Sequence, residues 1–317
     1  MEENFKKYVI SFLEKLEIYE DFYNKEYKKI ISRSIINFIE LPTVDSAYTV
    51  YETFFTAYWI GTQRKENPFL KLIEKVKRFE ELGGRLTPNQ RDHFLHSVFV
   101  FLLGLGIYEQ NCNYRASFER YALNKKSYPD SYDTKYEEFF YRWGIASLFH
   151  DIAYPLEITL KQINRYANFI CSYPEIDAQS LKVKLQLCNL EEFTKLPLIK
   201  PNPIYEEGFS SKYPSYEEKF HSDAMAILSE SIAFNFNLNF NDVNKKIRRF
   251  VRDMDEGNFI DHGFYSSIII LRWYHYLINS TSWNPAYFYI PIADAASAIF
   301  LHNYFEHGLM DSFKLVS

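Results

Sequence analysis

The sequence contains few of the residues that organise several common kinds of protein. Its 317 residues include three cysteines, Cys112, Cys171 and Cys188, and no two of them have CxxC spacing. This spacing indicates neither a disulfide framework nor a cysteine zinc knuckle. Ten glycines and twelve prolines are few for this length. They argue against a β-sandwich or barrel, which needs a tight turn about every ten residues.

Long apolar runs and a strong net charge are also missing. No stretch approaches the roughly eighteen uninterrupted apolar residues of a membrane span, and the amphipathic N-terminus lacks the apolar region of a signal peptide. The formal net charge of −5 gives no general attraction to nucleic acid, although a local basic groove is compatible with it. We therefore expect a cytoplasmic protein that has no membrane partner.

What the sequence does contain is apolar residues at helical spacing. Hydrophobic residues make up 47% of the chain and aromatic residues 19%, which is enough for a large core. Apolar residues recur at three- and four-residue steps through most of the chain, which predicts an all-α fold. Gly83 and Gly84 separate an N-terminal helical extension, residues 1–84, from a main domain, residues 85–317, and we expect the extension to pack on the core of that domain. The predicted helices of the main domain cover 88–108, 136–151, 217–234, 241–253, 263–278 and 292–305, and a short strand at 287–290 is one alternative.

Eight histidines occur in the chain, and several have unusually apolar neighbours in the sequence. His96, His150 and His302 are the clearest cases. A buried imidazole must be hydrogen-bonded or bound to a metal, because an unpaired polar group in a core is costly. For any one of these histidines alone, a hydrogen-bonded core residue is the simpler interpretation. The argument for a metal site therefore depends on the set.

His150 and Asp151 are adjacent at the end of an apolar predicted helix. Two neighbouring side chains can reach one ion where a helix loosens, and these two offer a nitrogen and a carboxylate oxygen. Such mixed ligation suits a divalent transition metal, or magnesium if waters complete its coordination.

The sequence around these residues resembles the HD phosphohydrolase superfamily over about residues 85–305. Two strings carry the resemblance, Arg91-x-x-x-x-His96-Ser97 and Leu148-Phe149-His150-Asp151-Ile152-Ala153-Tyr154-Pro155. In that superfamily the first histidine, the His-Asp pair and a later aspartate hold one metal ion. The resemblance implies an HD-type helical bundle in which His96, His150 and Asp151 are metal ligands.

Two further segments resemble the binuclear, Asp-His-Gly branch of the superfamily. Asp261-His262-Gly263 implies that His262 is a ligand of a second metal, and a glycine at this point allows backbone or substrate to approach closely. Near the end of the sequence, Asp294 resembles the closing aspartate of the first site. Alternatively, residues 298–303 resemble the Ala-Ile-x-x-His-Asn helix of that branch, with His302 as the second-metal ligand. In that branch the closing aspartate comes later, on a further helix.

Other residues are candidates for catalysis and substrate binding. The resemblance implies that Asp151 bridges two metals and orients the attacking water. His221 is a candidate proton donor or substrate contact, although a surface helix cap explains its segment equally well. Arg91 is placed to reach a bound phosphate, or else forms an exposed salt bridge. Ser266, one turn after His262, is a candidate substrate contact, and His93 a candidate partner of His96.

The function implied by the resemblance is metal-dependent hydrolysis of nucleotides, cyclic nucleotides or other phosphoesters, including single-stranded nucleic acid. One or two divalent ions, drawn from Mn, Mg, Fe, Co, Ni and Zn, would activate a water molecule. Two alternatives share the same ligands: a non-catalytic helical module that binds a regulatory protein partner, and a diiron oxygenase on the same scaffold. The sequence is also compatible with a homo-oligomer.

Overall fold

The computed structural model describes residues 3–62, 66–83, 92–124, 135–171, 190–196, 223–257, 259–279 and 285–303. In these residues the regular structure is α-helical, apart from a short 3-10 helix at Tyr19–Tyr23 and an isolated β-bridge between Lys195 and Asp223. The all-α prediction is therefore confirmed for this part of the chain. Within it, none of the helices has the length and apolar character needed to cross a membrane.

The α-helices are numbered in chain order. They are α1 Glu3–Lys15, α2 Tyr27–Glu40, α3 Val44–Ala57, α4 Pro68–Gly83, α5 His93–Gln110, α6 Cys112–Asn124, α7 Lys135–Phe149, α8 Tyr154–Cys171, α9 Leu190–Thr194, α10 Ala224–Asn235, α11 Phe240–Gly257, α12 His262–Asn279 and α13 Pro285–Leu301.

Side-chain caps fix the beginnings of several of these helices. Thr43 begins α3 with a capping box, in which the Thr43 hydroxyl accepts from the Ser46 N–H and the Ser46 hydroxyl accepts from the Thr43 N–H. Asp92 begins α5 by accepting a hydrogen bond from the Leu95 N–H at 2.9 Å. Asp223 begins α10 in the same manner. Each cap satisfies a backbone donor that the first turn of a helix leaves unpaired.

Two predicted boundaries differ from the structure. The first buried helix is predicted over 88–108, but α5 begins at His93, because Asp92 has an extended backbone and caps the helix; the predicted cap at Thr87–Gln90 lies outside the described residues. The alternative of a short strand at 287–290 is not what the structure has, because these residues belong to α13, which runs from Pro285 to Leu301. A short apolar run fits a strand or a buried helix equally well, and in α13 the apolar pattern continues far beyond strand length.

One hydrophobic core joins the N-terminal helices to the rest of the described structure. Phe12 of α1 and Phe54 of α3 both pack against Phe140 of α7, with ring centroids 6.2 and 5.6 Å away. Gly144 of α7 makes the contact with α3 close, since a Cβ there would lie 2.4 Å from the Phe54 ring. The N-terminal helices thus share their packing with α5 and α7. The division at residue 84 falls outside the described residues and stays a prediction.

Candidate metal centre

A turn after α7 carries the His-Asp pair. The helix ends at Phe149, and His150 and Asp151 occupy the turn that leads into α8. At the end of α7 the Phe149 carbonyl accepts from the Ile152 N–H at 3.3 Å, and the Ala153 N–H donates to the Ser266 hydroxyl of α12 at 3.0 Å. That donor would otherwise bond within the helix to the carbonyl of Phe149. A hydrogen bond from a distant element therefore fixes the turn and the two side chains on it.

Asp151 is buried, with 6% of its surface exposed, and lies between two groups of side chains. Their possible ligand atoms all lie within 4.8 Å of one another in each group. The first group is His96 from α5 with His150 and Asp151, and the second is Asp151 with His262 and His302. The structure thus brings together five of the six predicted metal ligands from α5, the turn after α7, α12 and the turn after α13.

The two carboxylate oxygens of Asp151 face different groups. Oδ2 lies 3.1 Å from His150 Nε2 and 2.8 Å from His93 Nδ1. Oδ1 lies 3.1 Å from His262 Nε2 and 3.7 Å from His302 Nε2. The His262 and His302 Nε2 atoms are themselves 3.0 Å apart. A carboxylate with one oxygen toward each group has the arrangement of a ligand shared between two neighbouring sites.

Hydrogen bonds on the far side of the rings orient His150 and His302. The Nδ1 atom of His150 is 2.7 Å from the Ser147 carbonyl, and Nδ1 of His302 is 2.5 Å from the Ile299 carbonyl. Because a carbonyl only accepts, we assign the proton of each ring to Nδ1. The Nε2 lone pair of both rings is then directed toward Asp151, which is the tautomer that a metal-binding histidine needs.

His262 is oriented by a buried glutamate. Its Nδ1 atom lies 2.5 Å from Glu157 Oε2, and Glu157 also pairs with Lys161. Burial acts to raise the pKa of Glu157, but the hydrogen bonds from His262 and Lys161 outweigh it and lower the pKa to about 2. Glu157 is therefore an ionised acceptor, and His262 Nδ1 is the donor. This carboxylate–histidine pair leaves His262 Nε2 directed at Asp151.

The charges of the cluster suit a bound cation. Burial raises the pKa of Asp151, but the four imidazoles around its carboxylate, those of His150, His262, His302 and His93, outweigh burial and hold the pKa well below its ordinary value. Burial likewise opposes a charge on His262, yet its hydrogen bonds to Asp151 and Glu157 raise its pKa to about 9. Without a metal, a proton on His262 balances these carboxylates. A metal ion replaces such a proton when it binds.

A glycine allows the end of α13 to approach the beginning of α12. A Cβ atom on Gly263 would lie 2.8 Å from the Ile299 carbonyl oxygen and 3.0 Å from the His302 ring. Such distances are too short for any side chain, so this position needs glycine for space alone. The expectation of a close approach after His262 thus has a structural cause, and the approaching group is the segment that carries His302.

Asp261 joins the same two helix ends. Its Oδ1 atom caps α12 by accepting from the Phe264 N–H at 2.7 Å, and its Oδ2 atom is 3.2 Å from the Asn303 amide nitrogen. That nitrogen is also 2.9 Å from His262 Nδ1. Because the proton on His262 Nδ1 is directed at Glu157, we assign the Asn303 hydrogen bond to Asp261. The Asp-His-Gly segment thus both begins α12 and positions the end of α13.

Asp294 is not part of the cluster. Its Oδ2 atom lies 3.0 Å from Arg142 Nη1, and its Oδ1 atom accepts hydrogen bonds from Ser231 and Asn235. Arg142 also pairs with Glu138 at 2.9 Å. The expectation that Asp294 closes the metal site is therefore corrected. Its carboxylate belongs to a buried ion-pair network that joins α7, α10 and α13.

The candidate catalytic and substrate-binding residues have different outcomes. Ser266 is fully buried and accepts the Ala153 N–H, so it supports the turn after α7, and the expectation of a substrate contact is corrected. Arg91 and His221 lie outside the described residues. Their suggested roles stay predictions.

The sequence analysis did not predict the contacts that Glu157 and His93 make in the cluster. Glu157 was not selected, although an acidic residue on the apolar face of an amphipathic helix was a usable signal. His93 was expected to support His96, but it contacts Asp151 directly. Its ring also stacks on Tyr154, with centroids 3.6 Å apart. Tyr154 in turn meets His262 edge-on at 5.6 Å.

Comparison with family models, curated proteins and solved structures finds no match for this chain. The fold of the described residues is all-α. Its candidate functional site is a buried cluster of histidines around one aspartate. The imidazole nitrogens and carboxylate oxygens of that cluster can hold a metal ion, and such a donor set is typical of divalent transition metals.

Proposed function

We propose that the protein is a metal-dependent phosphohydrolase of the HD type, which acts on nucleotides, cyclic nucleotides or other phosphoesters. The observation that carries the proposal is the position of Asp151, with one oxygen toward His150 and the other toward His262 and His302. A shared carboxylate between two groups of imidazoles favours two divalent ions. The order of the ligands along the chain also agrees with the resemblance to HD phosphohydrolases.

The residues of the cluster suit this chemistry. When bound, divalent ions polarise a phosphoryl oxygen and acidify a water molecule. Asp151, whose pKa is held low, would orient that water. Ser147, Glu157 and Ile299 fix the ring orientations in advance, so that little reorganisation is needed when substrate arrives. The His302 side chain is 27% exposed, which leaves this side of the cluster accessible to a phosphoester.

The test combines metal content with hydrolysis. Metal-free protein is reloaded with Mn²⁺, Mg²⁺, Fe²⁺, Co²⁺, Ni²⁺ or Zn²⁺ and assayed on bis-p-nitrophenyl phosphate, nucleotides and cyclic nucleotides. We expect hydrolysis by the loaded protein and its loss, together with loss of metal, in Asp151→Asn. Asp294→Asn is the matched control, because it removes a buried carboxylate charge outside the cluster and should keep the metal.

Other outcomes would replace the proposal. Hydrolysis that survives in Asp151→Asn contradicts the assigned role of this carboxylate. Metal binding without hydrolysis of any of these substrates would indicate a non-catalytic helical module or an enzyme that catalyses a different reaction. Iron binding with oxygen-dependent turnover and no hydrolysis would indicate the diiron oxygenase.

A further inference from the structure

Helix α11 has a basic middle segment, with Asp242 before it and Asp253, Asp255 and Glu256 after it. Between Asn244 and Arg252 it has five basic residues and no acidic residue, whereas the whole chain has a net charge of −5. The apolar side chains of the helix are directed into the core and the basic ones outward. The basic residues are Lys245, Lys246, Arg248, Arg249 and Arg252.

Three of these basic residues line one groove. The groove has a volume of about 590 Å³ and lies between α11 and Met225 of α10. Lys245, Arg248 and Arg252 follow one another at three- and four-residue steps, so they lie on one face of the helix. The other residues that line the groove are Met225, Asn241, Asn244 and Val251.

The positive charge of this groove is only partly neutralised. Arg248 pairs with Asp223, and its Nε donates to Asn244 at 3.1 Å. Among the described residues, neither Lys245 nor Arg252 has a carboxylate partner. Arg249, which does not line the groove, lies 3.8 Å from Asp253. Lys245 and Arg252 thus bring two positive charges to the groove that no carboxylate in the described part of the chain neutralises. The charge of Arg248 is partly neutralised by Asp223.

We propose that this groove binds a phosphate-bearing ligand of nucleotide size, at a site separate from the metal cluster. Its volume falls within the roughly 300–1,000 Å³ of small-ligand sites. Arg and Lys at its edge suit phosphate oxygens. Met225 and Val251, which are 8% and 9% exposed, form the apolar floor of the groove, and the two asparagines supply amide groups for the edge of a base. From Asn241 to Arg252 the helix is about 16 Å long at 1.5 Å per residue, which suits one nucleotide rather than a long strand.

The site is independent of the proposed hydrolysis, because α11 contributes no residue to the metal cluster. It is tested by binding alone. Fluorescent ATP is titrated into the full chain in EDTA, so that no divalent ion links the nucleotide to the cluster. We expect saturable binding, which unlabelled ATP and inorganic triphosphate displace and adenosine does not.

Variants on one helix supply the matched control. Lys245→Ala/Arg252→Ala should weaken binding by about tenfold or more, since each lost contact to phosphate is charge-assisted. Arg252→Lys should keep most of the affinity. Arg249→Ala removes the same charge from the same helix outside the groove, and should change binding by less than about twofold. All three positions are exposed, and thermal melts check the fold.

Four results would overturn the proposal. One is the absence of ATP binding in EDTA, and another is an equal loss of affinity in Arg249→Ala and the double variant. Displacement by adenosine would show that charge does not anchor the ligand. Displacement by a short single-stranded oligonucleotide at much lower phosphate concentration than ATP would assign the groove to nucleic acid.

Discussion

His150, His262 and His302 each have a hydrogen bond on the ring nitrogen that is directed away from Asp151. Two of the acceptors are backbone carbonyls, whereas the third is the carboxylate of Glu157. The backbone acceptors cannot be changed by a side-chain substitution. Glu157 can be replaced by substitution. It is therefore the residue at which the effect of this hydrogen bond on metal binding by His262 can be tested.

Replacing Glu157 by Gln should weaken metal binding by about 10–100-fold. The amide oxygen still accepts from His262 Nδ1 and keeps the ring in place, but the charge that increases the basicity of the ring is lost. Calorimetric titration of metal into the metal-free protein measures the change. Glu26→Gln, at an exposed site, is the control. Equal affinity in the two variants would show that the Glu157 charge does not support the ligand.

Gly263→Ala should displace His302. The added methyl group would lie 2.8 Å from the Ile299 carbonyl oxygen, which is a backbone atom of α13 and cannot rotate away. We expect the second group to lose its metal while the first group keeps one, so that metal content falls from two ions to one. Elemental analysis after gel filtration measures this content. A folded variant that keeps both ions would show that α13 can shift without loss of the site.

At the scale of elements, the turn after α7 depends on α12. Ser266→Ala leaves the buried Ala153 N–H without its acceptor, which should cost about 1–3 kcal/mol and weaken metal binding by loosening the turn. Ser267→Ala is a matched control, because this buried hydroxyl donates to the Phe264 carbonyl within its own helix. Urea unfolding and metal titration measure both effects. Equal effects of the two substitutions would contradict the role of Ser266.

Helix α7 also carries a buried acid whose charge is unfavourable. Burial raises the pKa of Glu137 well above its ordinary value of 4.5, and the Tyr19 N–H donates to its carboxylate. The folded state therefore binds more protons than the unfolded state above pH 4.5. Stability is then highest below the unfolded pKa and falls as pH rises through the folded pKa.

Glu137→Gln should remove this pH dependence. The amide oxygen keeps an acceptor for the Tyr19 N–H but never ionises. Urea unfolding at about pH 5 and about pH 8 should show a larger decrease in the free energy of unfolding for the original protein than for Glu137→Gln. Glu192→Gln, at an exposed position, provides the control. If the free energy of unfolding depended on pH in the same way in all three proteins, ionisation of Glu137 would not destabilise the folded state.

The sequence predicts the elements of this fold better than it predicts contacts between them. Helices α5 and α7 were identifiable because their apolar patterns are longer than a strand, and the His-Asp pair marks the end of α7. The hydrogen bond that stabilises the turn after α7 was not identifiable, because it joins the Ala153 N–H to Ser266, 113 residues away. Asp294 was misassigned for the same reason: its Arg142 partner is 152 residues away. Local patterns do not specify such long-range pairs.

At the scale of the whole molecule, the metal centre rests on helices that pack against the N-terminal segment. Phe12 of α1 is fully buried, and its ring centroid lies 5.6 Å from that of Tyr108 and 6.0 Å from that of Phe139. Tyr108 belongs to α5 and Phe139 to α7, the helices that position His96 and His150. The N-terminal helices are therefore part of the structure that holds the cluster.

This packing predicts that the chain unfolds as one unit. Phe12→Ala should lower the free energy of unfolding by about 3–5 kcal/mol, because it leaves a cavity among aromatic rings. Tryptophan fluorescence and release of bound metal should shift together to lower urea concentration. Phe22→Ala is the matched control, since this side chain is 67% exposed and should change stability by less than about 0.5 kcal/mol. If the N-terminal helices formed a separate extension, fluorescence would instead show an early transition in Phe12→Ala while the metal stayed bound. That result would contradict the shared core and support the boundary at residue 84.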